Sequence, residues 1–311
     1  MRVPNGKGPA MNKKLVAALA VIPLVGALAG CSYGSSNEPA AQPDENGDVT
    51  VSIGTTEESQ DYWTVLKDAA AEEGITIETV QFSDYTQANP ALDSGEIDLN
   101  LFQHLQFLAE YNVGTDSDLT PVGATLVVPL GLYSKKHTSV EDIPQGGSVA
   151  IPNDPSNQAR ALLVLQEAGL ISLTGGGNSL STPADIDTTA SKVTVTPVDA
   201  AQTILAMDSV DASIVNNNFV ADAGLDFESS LFKDDPASDA AKPYINAFVA
   251  RADDADNETF QKIVDLYHTP EVEEAVLEGS GGTAVIKDED GAELQEILSG
   301  IEDNLREKDK S

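Results

Sequence analysis

The sequence predicts an α/β protein with largely parallel sheets, on two observations. Short β-branched runs alternate with helical runs from Val49 onward, and no internal repeat competes with that alternation. Val49-Thr50-Val51-Ser52-Ile53 alternates with period two and stops at Gly54. Tyr62, Leu66, Ala69 and Ala70 share a helix face that Gly74 closes, and Ile75 to Phe82 is a second strand. A short helix around Pro90-Ala91-Leu92 precedes a strand over Ile97 to Phe102. The second half repeats the logic. Ser148 to Ile151 is a strand, Ala161 to Leu165 belongs to a buried helix stopped by Gly169, and Val193 to Val198 is a strand. Ala201 to Met207 is a helix and Ala212 to Val215 a strand. Phe260, Ile263, Val264 and Tyr267 sit at helical spacing, and Thr269-Pro270 opens another helix. Leu294, Ile297, Leu298, Ile301 and Leu305 form the clearest amphipathic stripe. Ligands of such sheets bind outside the carboxyl ends of the strands.

The N-terminal stretch has a different character. Residues 1–30 hold no Asp or Glu, and Lys13-Lys14 precedes an apolar run from Leu15 to Ala29, broken only by Pro23 and Gly26. That is a signal peptide, too short for a spanning helix. Met11, just before Asn12-Lys13-Lys14, is an alternative start that leaves this reading unchanged. The run closes on Leu28-Ala29-Gly30-Cys31, and Cys31 is the one cysteine of the chain, so no internal disulfide exists. Small residues before a lone cysteine resemble a lipobox, which implies lipidation of Cys31 and a lipid-anchored, extracytoplasmic protein. Ser32 to Asp48 contains no Val, Ile, Leu, Phe or Trp and reads as a tether. Such a linker spans roughly 20–25 Å on average.

Charge narrows the partners. Acidic residues number 51 against 17 basic, and a leader would remove Arg2, Lys7, Lys13 and Lys14, moving the net charge from −34 to −38. Nucleic acid is excluded, because phosphate neutralisation needs basic clusters. The acidity is that of a solvated surface, which a zwitterion feels little and a free anion feels as repulsion.

Against that background "IPNDPSNQAR", Ile151 to Arg160, stands out. A strand ends at Ile151, two prolines stiffen the loop, Ser156 or Asn157 caps the helix that follows, and Arg160 lies in its first turn. Free N–H groups, the helix dipole and a guanidinium then converge on a point suited to a carboxylate or phosphate. Equally open from residue types alone is an arginine that merely pairs with one of the many acids.

The segments "QFSDYTQANPALDSGEIDLNLFQHLQFL", "PVGATLVVPLGLYSKK" and "VAIPNDPSNQARALLVLQEAGLI", behind a lipobox, are similar in order and spacing to the methionine-binding lipoproteins of bacterial ABC importers, the NlpA-type family. The likeness runs from about Val49 to Ile286. It implies a two-lobed periplasmic-binding-protein-like (type II) fold with the ligand cleft between lobes and two crossover strands. The crossings fall near Val127-Val128-Pro129 and near Asn246-Ala247-Phe248. The expected organisation is 1–30 signal peptide, 31–48 lipidated Cys and tether, 49–128 first part of lobe 1, 129–245 lobe 2, and 246–311 the return to lobe 1.

An amino acid needs a cation for its carboxylate, acceptors for its ammonium and a pocket for its side chain. Arg160 is the candidate for the first, and Asn157, Asn216 and Asn246 for the second. Tyr85, Phe102, His104 and Phe107 are candidates for the third, since sulfur packs on aromatic rings with about 0.3–1.5 kcal/mol. The resemblance assigns Tyr85 to the family's F-x-D-Y, Phe102 and His104 to its F-Q-H, and Asn246 to its P-Y-x-N. It likewise matches Arg160 to the family's arginine and Asn216 to the asparagine of its N-T-T. Two departures stand: Phe107 replaces a common tyrosine, and Asn217-Asn218 replaces two threonines. Both leave room for a methionine derivative or short methionyl peptide.

Enzyme classes find little support. Three scattered histidines have no zinc spacing, Gly175-Gly176-Gly177 lacks the Lys-Ser of a phosphate loop, and no G-x-S-x-G occurs. The expectation is a monomeric binding lipoprotein without cofactor or metal. It captures L-methionine or a close derivative and delivers it to an ABC permease with its ATPase. The rival readings are a lipoprotein for another small amino acid, a metal-binding lipoprotein and a hydrolase.

Overall fold

The computed structural model describes Ala41 and residues 47–308. The leader, Cys31 and most of the 31–48 tether lie outside the described residues. The chain divides into Met1–Glu38 and Pro39–Ser311, and every element below belongs to the second unit. No described helix is long and apolar enough to cross a membrane.

The first sheet begins with β1 (Val49–Thr55), α1 (Tyr62–Glu72), β2 (Ile75–Gln81), α2 (Tyr85–Asp93), β3 (Leu99–Asn100), α3 (Leu105–Thr115) and β4 (Thr120–Val127). A second sheet follows: β5 (Gly131–Tyr133), β6 (Gly147–Pro152), α4 (Pro155–Glu167), β7 (Val193–Val198), α5 (Thr203–Ala206), β8 (Ala212–Val215), α6 (Asn217–Asp222) and β9 (Phe232–Lys233). The chain then returns as β10 (Asn246–Ala250), α7 (Glu258–Tyr267), α8 (Pro270–Gly279), β11 (Val285–Ile286) and α9 (Gly291–Lys308). The sheet orders are β11-β4-β10-β3-β1-β2 and β7-β6-β8-β5-β9.

The sheets are mixed rather than largely parallel. β1 pairs in parallel with β2 and β3, and β6 with β7 and β8. The strands next to a passage between sheets, β4, β5 and β10, pair antiparallel. A parallel pair needs a long crossover, usually a helix, whereas a chain that leaves one sheet and comes back meets its neighbour head to tail.

Sheet one is packed on both faces. Trp63, Leu66, Phe248, Phe260, Ile263 and Tyr267 fill one side, and Leu92, Leu105, Leu108, Leu294 and Leu298 the other. The amphipathic stripe of α9 is therefore a core face. The second sheet has its own core around Leu132, Ile151, Leu162, Leu165 and Ile214. Each large side chain so buried contributes about 1.5–3 kcal/mol.

Several expectations shift at the edges. β3 spans two residues, not Ile97 to Phe102. Asp98 is held by its carboxylate, which accepts from Ser52 Oγ at 2.6 Å and Ser52 N at 2.8 Å, and the chain leaves the ladder at Leu101. The 201–207 segment is a 3-10 turn, Ala200–Gln202, running into the short α5. Val128-Pro129 carries the chain from β4 to β5. The return passage lies between Lys233 and Asp239, ahead of the expected Asn246-Ala247-Phe248. The 3-10 helix Asp239–Tyr244 already packs on α3 and α9, and Tyr244 and Ile245 are buried with Leu105 and Leu294.

Gly123 lets β4 and α7 approach, since a Cβ there would overlap both γ-methyls of Val264. Gly123→Ala is expected to lower the unliganded melting temperature by several degrees. Overpacking typically costs about 1–3 kcal/mol, worth roughly 2–4 °C each in a chain of this size. Calorimetric or circular-dichroism melts check it.

Candidate functional site

The carboxyl ends of β1, β3, β6 and β8 converge on one cavity at the junction of the two sheets. Its lining includes Thr56 and Glu57 after β1, Phe102 to His104 after β3, Asn157 and Arg160 on α4, and Asn216 after β8. All eight expected residues line it: Tyr85, Phe102, His104, Phe107, Asn157, Arg160, Asn216 and Asn246.

One wall is aromatic. Phe102 and Phe107 meet edge to face with centroids 5.7 Å apart, and Phe107 meets Tyr85 edge-on at 6.1 Å. Phe219 of α6 adds a ring 5.5 Å from Tyr85. Burial pushes the Tyr85 phenol well above its usual range, so it stays protonated, and its O–H donates to Asn218 Oδ1. With Phe107 carrying no hydroxyl, this part of the wall is apolar.

The opposite wall is a chain of amides, and the loop chemistry explains it. α4 is capped by Asp154, not by Ser156 or Asn157: its Oδ1 accepts from Asn157 N at 3.0 Å, with Pro155 at the first helical position. An ionised cap at that place also meets the helix dipole favourably. The same oxygen accepts from Asn157 Nδ2 at 2.8 Å, which fixes the Asn157 amide. Its Oδ1 therefore faces the cavity side and accepts from Asn216 Nδ2 at 2.9 Å. Asn216 Oδ1, the other end of that amide, is buried and has no hydrogen-bond partner among the described residues, and the same holds for Asn218 Nδ2. A buried unpaired polar atom costs about 1–3 kcal/mol. The polar wall thus carries one acceptor and one donor that the described residues leave unmet.

His104 is both cap and wall. Nδ1 accepts from Phe107 N at 3.1 Å, so the proton sits on Nε2, 3.4 Å from Asn157 Oδ1. Burial, reinforced by the nearby Arg160 charge, lowers its pKa to about 3. Both nitrogens are engaged, so the imidazole is neutral and offers the cavity a ring. Asn246 reaches the cavity from β10, with Nδ2 at 3.4 Å from the carbonyls of Leu126 and Tyr244.

Arg160 lies in the second turn of α4, not the first, and is 4% exposed. Nε donates to Asp234 Oδ2 at 2.7 Å, and Nη2 to Asp234 Oδ1 at 3.2 Å and to Val128 O at 2.8 Å. The Tyr244 ring lies under the guanidinium, 4.2 Å from Cζ. Both alternatives left open by the residue types hold together: the arginine pairs with an acid and also lines the cavity. A buried, paired arginine is part of the fold as well as of the cavity wall.

Nothing in the sequence singled out Asp234, Tyr244, Phe219, Asp154 or Glu57, and Asn218 stood out only as a replacement of a family threonine. Asp234 is one of 51 acids and carries no local signal. Asn218 and Phe219 lie two and three residues after Asn216 and are aimed by the first turn of α6, Asn217–Asp222.

Two packed sheets joined by two passages, with a cavity at the strand ends between them, define a two-lobed substrate-binding protein. The chain belongs to the NlpA lipoprotein family, whose family model matches residues 49–287. It is 36% identical over 264 residues to a probable D-methionine-binding lipoprotein, MetQ, of Pasteurella multocida, covering 82% of this chain and 92% of that one. Among solved structures it resembles the substrate-binding protein of a methionine transporter from Streptococcus pneumoniae (38% identity, TM-score 0.72, 76% of this chain and 95% of that one). It also resembles a nutrient-binding protein from Burkholderia cenocepacia bound to methionine (35% identity, TM-score 0.71, 76% and 99%). The fold is thus that of the periplasmic substrate-binding proteins of methionine transporters.

Glu57 lines the cavity with Oε1 accepting from Tyr62 Oη at 2.8 Å, and burial raises its pKa to about 7, with a further push from Asp222. A carboxyl raised on folding opposes the folded state once ionised. Its penalty is absent below the unfolded value near 4.5 and complete above about 7. Glu57→Gln is therefore expected to raise the unliganded melting temperature at pH 8 by a few degrees. The gain should shrink towards zero at pH 5, as parallel melts at the two pH values will read.

Proposed function

We propose that the protein is the extracytoplasmic binding lipoprotein of an ABC importer, capturing methionine or a close derivative and handing it to the permease and its ATPase. The observation that carries this is the split of one cavity into an apolar aromatic wall and a polar wall with an open guanidinium edge and an unpaired amide oxygen. Tyr85, Phe102 and Phe107 surround the thioether, with the His104 ring closing the cage. Arg160 Nη1, which donates to no acceptor among the described residues, receives the α-carboxylate, helped by Asn218 Nδ2. Asn216 Oδ1 accepts from the ammonium, and Asn157 and Asn246 line the backbone part of the ligand. The relatives' names supply the ligand class, and D-methionine is the form named in the Pasteurella relative. Binding rather than catalysis is the activity. Lipid on Cys31 holds a monomeric domain at the outer face of the cell membrane, and the 31–48 tether gives it reach.

A panel of the common amino acids with both enantiomers of methionine, read by thermal shift on the soluble domain, tests the ligand class. Methionine should give the largest upward shift, about 2.7 kcal/mol of added stability at 100 times its dissociation constant. A larger shift with Asp, Glu or Lys overturns the methionine reading while leaving the family intact. Arg160→Ala should weaken methionine by about 2–5 kcal/mol, and Arg160→Lys by less because it keeps the charge, yet substantially because it lacks the fork that Asp234 holds. Because Arg160 is buried and paired, the alanine variant should also melt lower without ligand. Unchanged affinity beside a lowered melting temperature would reduce Arg160 to a structural role.

Cys31→Ala should abolish lipid attachment and block cleavage after Gly30. Detergent partitioning checked by intact mass reads this, and a lipidated mutant would refute the anchor.

A further inference from the structure

Asp234 sits in the return passage, one residue beyond β9, and does three things at once. Its Oδ1 accepts from Leu130 N at 2.8 Å, in the outgoing passage. Its two oxygens hold Nε and Nη2 of Arg160, and the other Nη2 proton goes to Val128 O, also in the outgoing passage. The Tyr244 ring backs the guanidinium plane. Nε has one proton and Nη2 two, so these bonds use every donor except the two on Nη1. An arginine side chain otherwise carries rotamer entropy that a ligand would have to freeze.

We propose that Asp234 is the positioning residue of the carboxylate anchor: it holds the Arg160 fork against both passages and leaves Nη1 as the single edge that meets the ligand. The inference rests on the reading of Arg160 as that anchor and adds a specific expectation. The ligand's carboxylate takes one end of the guanidinium rather than its bidentate edge, and a second anionic oxygen must find its donor among the amides.

The experiment compares L-methionine with L-methioninol, whose carboxylate is replaced by a hydroxymethyl group, by calorimetric titration and by competition where binding is weak. Wild type, Asp234→Asn, Asp234→Glu and Arg160→Ala are measured together, with unliganded melts to verify folding. In Asp234→Asn the amide NH2 opposes Arg160 Nε–H and expels the fork. Methionine affinity should fall on the order of tenfold, within the range of coupled neighbours, while methioninol changes little. Asp234→Glu should restore part of the methionine-to-methioninol ratio. An equal loss for both ligands makes Asp234 merely structural, and tighter methionine binding shows that Asp234 competes with the ligand. Either overturns the proposal. If Asp234→Asn does not fold, Asp234→Glu decides: a loss selective for methionine supports it, and an equal loss or none overturns it. Arg160→Ala separates the two layers. A ratio unmoved by Arg160→Ala refutes the anchor itself, whereas a ratio moved by Arg160→Ala and not by Asp234→Asn refutes the Asp234 role alone.

Discussion

The cavity depends on one ion pair, Arg160 with Asp234, placed where the chain passes between its two sheets. Each lobe has its own core and could pack in many mutual orientations as far as those cores are concerned. The pair gathers Val128, Leu130 and the return passage around one guanidinium 5% exposed in its side chain. Buried ion pairs are seldom net stabilisers, because desolvation offsets most of the Coulomb attraction. The geometry it imposes is the better reason for its presence. The amide chain of Asp154, Asn157 and Asn216 starts from the same helix, so its aim follows from where α4 is held.

Much of this was readable in the sequence because glycine and β-branched runs act locally. Val49 to Ile53 and Ala212 to Val215 became strands, as did the expected Ile75 to Phe82 as far as Gln81, and Gly74 and Gly169 stop helices with positive φ. The eight residues singled out by residue chemistry and family likeness came together in one cavity for a topological reason: seven follow the carboxyl ends of strands, and Asn246 opens β10 beside them. What stayed hidden was non-local. Strand direction at β4, β5 and β10 is set by the two passages, not by any feature of those segments. The cap of α4 was misassigned because Asp154, Ser156 and Asn157 are all good caps. Only the preference of proline for the first helical position separates them, and that argument favoured Asp154. Asp234 lacked any contrast with the acids around it.

Behind the aromatic wall lies a second neutral network. Asn89, Asn100 and Gln103 exchange side-chain bonds of 2.6–3.0 Å, all fully buried. Gln103 lies between Phe102 and His104, so this cluster fixes the loop from the rear while the two rings face forward. Satisfied buried amides of this kind rigidify rather than merely stabilise. Their cost falls in folding, before any ligand arrives, which lessens what must be ordered on capture.

Tyr85 belongs to the first lobe, yet its hydroxyl and ring rest on Asn218 and Phe219 of the second, near where Ser59 Oγ donates to Asp222 at 2.9 Å. The same side chain is therefore both a wall of the cage and a bolt across the mouth. Contents and enclosure cannot vary independently in such an arrangement. A partner resting on the outer faces of both lobes has no need to probe the interior, because the spacing of those faces already reports whether the chamber is shut.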